Sequence, residues 1–88
     1  MNKKDIYSII GYPLSTEKAV RVMDQENKLV FIVDKKAKKP EIKKALEEIF
    51  KIKVLHVHTL INKGKKKAYV KLDATTPAGD VATQLGLI

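Results

Sequence analysis

The apolar residues of this chain change their spacing from one segment to the next, and each spacing predicts an element. A short apolar run over 6–10 reads as a first strand, ended by Gly11-Tyr12-Pro13, because Pro13 has no amide hydrogen and disfavours helix at Tyr12. Residues 15–23 read as a helix: Ser15 or Thr16 supplies an N-cap oxygen, Glu17 sits where the helix dipole favours negative charge, and Ala19, Val20 and Met23 share a face. The polar run Asp24-Gln25-Glu26-Asn27 predicts a turn. Leu29-Val30-Phe31-Ile32-Val33 is too short for an independent helix and rich in β-branched and aromatic side chains, which predicts a strand covered on both faces.

The next period is helical and is the clearest in the chain. Ile42, Ala45, Leu46, Ile49 and Phe50 form a full apolar stripe behind Lys39-Pro40-Glu41, with Pro40 suited to the first turn. Lys43, Lys44, Glu47 and Glu48 take the other side, spaced to pair as Lys43–Glu47 and Lys44–Glu48. Residues 52–61 alternate as a strand, with Ile52, Val54, His56, His58 and Leu60 on one face and Lys53, Leu55, Val57, Thr59 and Ile61 on the other. Asn62-Lys63-Gly64-Lys65-Lys66 reads as a hairpin connection, and Ala68, Val70 and Leu72 alternate with Lys67, Tyr69 and Lys71 in the return strand. Thr76-Pro77-Ala78-Gly79-Asp80 opens a last helix through Leu85, stopped by Gly86, with Leu87-Ile88 folding back onto the core. The order β-α-β-α-β-β-α predicts one α+β domain over 1–88, a four-stranded, mainly antiparallel sheet with helices on both faces.

Charge adds a direction to this frame. Of the 18 Lys and Arg residues, thirteen lie between 35 and 71 with only three of the 10 acidic residues, so the excess of positive charge belongs to one folded segment. Such a face fits a polyanion better than a neutral small-molecule substrate, and no cofactor is expected. The absence of Cys excludes disulfides and thiolate metal sites. The start of the chain lacks the apolar core of a signal peptide and no run is long enough to insert in a membrane, so a cytosolic protein is expected.

The candidate chemistry is that of RNA binding. Lys35, Lys36, Lys38 and Lys39 lie between a buried strand and the second helix, and Asn62, Lys63, Lys65, Lys66 and Lys67 at the hairpin tip. Lysines so placed neutralise phosphates without reading sequence; a merely solvated surface is the plainer alternative. Tyr69 either stacks on an extruded base or packs under a helix with its hydroxyl at the edge. His56 and His58 project to one side as metal ligands would, but no third ligand is placed by spacing, so polar contact with RNA or water is the better reading. Catalysis is not expected: a phosphate-binding glycine loop is missing, as is the arginine-bearing loop of an acylphosphatase-like enzyme of similar size.

Taken in order, Pro13-Leu14-Ser15-Thr16-Glu17-Lys18-Ala19, Asn27-Lys28-Leu29-Val30-Phe31-Ile32-Val33-Asp34, Lys39-Pro40-Glu41-Ile42-Lys43, Thr59-Leu60 and Gly64-Lys65-Lys66-Lys67-Ala68-Tyr69-Val70-Lys71-Leu72 resemble the L twenty-three family of large-subunit ribosomal proteins. The short hairpin loop and the lack of a long basic extension resemble its archaeal form. The resemblance implies a protein that binds large-subunit rRNA beside neighbouring ribosomal proteins at the rim of the polypeptide exit tunnel. It also implies docking of nascent-chain factors such as the signal recognition particle. Position by position it puts Thr16, Lys18, His58 and Thr59 near RNA and matches Glu17 to a factor-docking acid. Val57-His58-Thr59 departs from the usual Val-Asn-Thr, replacing an amide by a titratable ring. A free-standing RNA-binding or chaperone-like regulator is the alternative class.

Overall fold

A computed structural model describes residues 9–84. The elements run β1 (Ile10–Pro13), α1 (Glu17–Glu26), β2 (Lys28–Val33), α2 (Lys39–Phe50), β3 (Val54–Asn62), β4 (Lys65–Leu72) and α3 (Ala78–Gln84). The strands form one antiparallel sheet in the order β1-β2-β4-β3. Of the first strand read over 6–10, residues 6–8 lie outside the described residues, and the strand that forms uses the segment expected to end it. Pro13 is tolerated because β1 is an edge, where a missing donor breaks no ladder. Gly11 sits at a register shift between Ile10 and Tyr12, and a Cβ there would lie 2.7 Å from the Ile32 carbonyl oxygen, so only glycine lets β1 approach this closely.

Leu29, Phe31 and Val33 of β2, Ala68, Val70 and Leu72 of β4, and Val54 and Val57 of β3 build the core with Met23, Ile42, Leu46, Val81 and Ala82 from the helices. Phe50 stacks on Phe31 with centroids 5.9 Å apart. Burial of these side chains in one cluster is the main stabilising term for so small a domain. Helices α2 and α3 give their buried residues to this side; α1, which follows the short β1 along β2, sends Met23 into the core while Ala19 and Val22 reach toward Val30 on the other side.

Local chemistry sets each boundary, and the end of α1, the hairpin connection and the side-chain parity of β3 also differ from the sequence reading. Helix α1 continues through Asp24, Gln25 and Glu26, which are exposed and tolerated there, and stops at Asn27 in the left-handed conformation, φ 53°. The connection between β3 and β4 is Lys63-Gly64 alone, both at positive φ (52° and 77°), as a two-residue primed turn requires; Asn62, Lys65 and Lys66 therefore belong to strands. In β3, a shift between Val54 and His56 leaves Leu55 exposed and reverses the side-chain parity. Val54 and Val57 thus both face the core, and His56, His58 and Leu60 face away. At the start of α2, Lys38 N–H donates to the Glu41 carboxylate at 3.0 Å. The expected Lys43–Glu47 and Lys44–Glu48 pairs do not form among the described residues; the Glu47 carboxylate instead accepts from Val54 N–H at 3.3 Å.

Asn27 joins three elements through its side chain. Its Nδ2 faces the carbonyl oxygens of Leu72, Asp73 and Thr76 at 3.2, 3.2 and 3.3 Å, and its Oδ1 accepts from Ala78 N–H at 2.6 Å. The end of α1, the end of β4 and the first turn of α3 are thereby tied at one point. Between them Asp73 accepts from the Thr75 amide and hydroxyl, bonds that hold its carboxyl below the usual carboxylate range.

Candidate nucleic-acid interface

The sheet's second face brings the candidates Lys67, Tyr69 and His58 together with further basic and aromatic side chains. Strand pairing places them in rows: Tyr12, Ile32, Lys67 and Leu60; then Val30, Tyr69 and His58; then Lys28, Lys71 and His56. Of these only Val30 is buried, while Tyr12, Leu60, His56 and His58 are exposed and the others half-buried. A large part of this face is open, and it carries aromatic rings, imidazoles and ammonium groups where a three-layer fold would put a second set of helices.

Beside these rows the start of α1 completes a shallow groove. Thr16 caps the helix by accepting from Ala19 N–H at 3.2 Å, which fixes its turn next to Tyr69 and Lys67, and Lys18 extends from the first turn along the same wall. Thr16 and Lys18, 50 or so positions from Lys67 and Tyr69, thus line one feature. Tyr69 has Val30 on one flank and His58 on the other, so its ring is held by the sheet and part of it remains accessible. Tyr12, which sequence reasoning assigned only to a turn, joins the same face; its hydroxyl accepts from Lys65 Nζ at 3.2 Å.

The remaining lysines gather at one end of the sheet. Asp34 accepts from Lys36 N–H at 3.2 Å through its side chain and from Ala37 N–H at 3.0 Å through its carbonyl, forming a tight turn that buries Ala37 and turns Lys35 and Lys36 outward. The Lys35 ammonium reaches the hairpin, 3.7 Å from where a Cβ on Gly64 would stand. The β2–α2 loop and the hairpin tip therefore form one cationic end carrying Lys35, Lys36, Lys38, Lys39 and Lys63 in exposed positions, with Asn62 beside them. Lys66 differs from its neighbours. Its ammonium donates to the Ala37 carbonyl at 2.6 Å and the Lys35 carbonyl at 3.5 Å, so it braces loop against hairpin. Lys71 is likewise engaged, donating to the Glu26 carbonyl at the end of α1. Thr59 pairs with Ala68 on the helix-covered side of the sheet, half-buried and apart from His58.

Glu17 stands exposed at the α1 N-terminus, 3.6 Å from Arg21, a pair too solvated to fix either side chain. His56 and His58 bring no third ligand with them: among the described residues no cluster of His, Asp and Glu could hold a metal ion. No described helix is long and apolar enough to cross a membrane.

A small α+β module whose open sheet face carries aromatic rings and ammonium groups presents the chemistry that suits an RNA surface. The family model for Ribosomal protein L23 matches residues 8–79. The Large ribosomal subunit protein uL23 of Methanococcus aeolicus is 46% identical over 84 residues, covering 94% of this chain and 98% of that protein. The Large ribosomal subunit protein uL23 of Trypanosoma brucei brucei is 47% identical over 88 residues, covering 99% of this chain and 54% of that protein, so the chain spans about half the length of the trypanosome relative. The chain belongs to the ribosomal protein L23 family, a family of structural proteins and not of enzymes.

Proposed function

We propose that the chain is a structural constituent of the large ribosomal subunit, working in the cytoplasm, that binds large-subunit rRNA through its open sheet face and its cationic end. The observation that supports this most directly is the convergence of Thr16, Lys18, Lys67 and Tyr69 on one groove, next to His58 and Lys65. Phosphates would be neutralised at Lys35, Lys36, Lys38, Lys39, Lys63 and Lys65, while an unstacked base lies on the Tyr69 ring. In this reading the chain sits at the rim of the polypeptide exit tunnel beside other large-subunit proteins. Exposed Glu17 then serves as a docking residue for nascent-chain factors such as the signal recognition particle.

Binding of the isolated protein to fragments spanning large-subunit rRNA, with tRNA as competitor, tests the RNA part. Retention on one fragment in the presence of competitor is expected. Equal, salt-labile binding to every fragment would reduce the surface to a generic polyanion site and favour a free-standing RNA-binding protein.

A further inference from the structure

We propose that His56 and His58 make the RNA grip of the open sheet face proton-linked, tightening as pH falls. This rests on the reading of that face as the RNA site. The bulge at Leu55 turns both imidazoles to the outer face of an edge strand, where they are exposed. The element packed beside them is β4: His58 stands opposite Tyr69 and His56 opposite Lys71, with Lys67 one row away. Lys71 is tied to the Glu26 carbonyl, and the Glu26 carboxylate pairs with Lys28 at 3.3 Å. Among the described residues neither imidazole forms an ion pair with a carboxylate. Across the strand pair the described residues facing the imidazoles are a phenol and an ammonium group, and no paired carboxylate serves them as a counter-ion. A nucleic-acid phosphate supplies one, and it favours the charged imidazolium. The sign follows: a phosphate favours the charged form, so RNA binding is coupled to proton uptake and the added affinity is greater at low pH and falls as pH rises.

The test is a titration of the full chain against an oligouridylate of about 20 nucleotides, whose bases do not ionise in the range, at about pH 8 and about pH 6 over a series of salt concentrations. Affinity is expected to rise roughly tenfold at the lower pH, and the log–log salt slope to steepen by about 0.7 for each imidazolium that meets a phosphate of the single strand. The double variant His56→Asn, His58→Asn should bind equally at both pH values. A wild-type affinity unchanged between them, or a double variant that keeps the wild-type pH dependence, would overturn the proposal. Lys67→Ala separates this from the reading beneath it: if that variant binds as wild type at both pH values, the open face is not the RNA site. If it weakens binding at both while the wild type shows no pH dependence, only the proton linkage fails.

Discussion

Replacing Asn27 by alanine is expected to cost about 2–4 kcal/mol and to lower the melting temperature by roughly 10–25 °C. The substitution removes the Oδ1 acceptor from Ala78 N–H and the Nδ2 donor from three carbonyls, all in a partly buried place between α1, β4 and α3. It also puts a residue with a stronger aversion to left-handed backbone at φ 53°. Asn27→Gly separates the two causes, because glycine accepts that backbone freely but makes none of the bonds. If the bonds dominate, both variants melt far below the wild type in thermal unfolding followed by circular dichroism. A glycine variant as stable as the wild type would mean that the backbone conformation alone matters.

Neutralising Lys35, Lys36, Lys63 and Lys65 together is expected to weaken RNA binding by roughly 10²- to 10³-fold near 0.1 M salt and to flatten the log–log salt slope by about 3. These four ammonium groups are exposed at one end of the sheet, and removing each one that meets a phosphate also removes its share of counterion release. Replacing Lys63 by Asn keeps the tight turn, since Asn adopts positive φ readily, so its effect reports charge rather than folding. Lys66→Met supplies the contrast. Its ammonium is bonded to the Ala37 and Lys35 carbonyls, so the change should lower thermal stability and leave the salt slope nearly as it was. A slope unaltered in the fourfold variant would rule this end of the molecule out as an RNA-binding surface.

The helical stripe of α2 and the local concentration of lysine were legible because they are written in adjacent residues. So was the sequence of elements, and with it the α+β fold. What remained hidden depended on distant partners. Asn27 looked like a turn residue, and nothing within reach of it in sequence says that Leu72, Asp73, Thr76 and Ala78 converge on its amide. Lys65, Lys66 and Lys67 read as one basic run, yet strand alternation sends Lys66 to the opposite side from its neighbours and against the β2–α2 loop. The parity of β3 was misread because a bulge adds one residue without a polar or glycine signal, and that single residue decides which side His56 and His58 occupy. The candidate groove shows the same division: Thr16 was visible as a cap, but its neighbourhood with Lys67 and Tyr69 required the fold.

The most direct measurement of the central claim is the sedimentation of the tagged chain, expressed in the cells it comes from and run through sucrose gradients at about 0.1 M and about 0.5 M salt. Incorporation as a structural constituent predicts that it travels with large ribosomal subunits at both concentrations, because a protein seated in folded rRNA does not depend on screened lysine contacts alone. Release into the light fractions at the higher salt, or absence from large subunits at the lower, would contradict it.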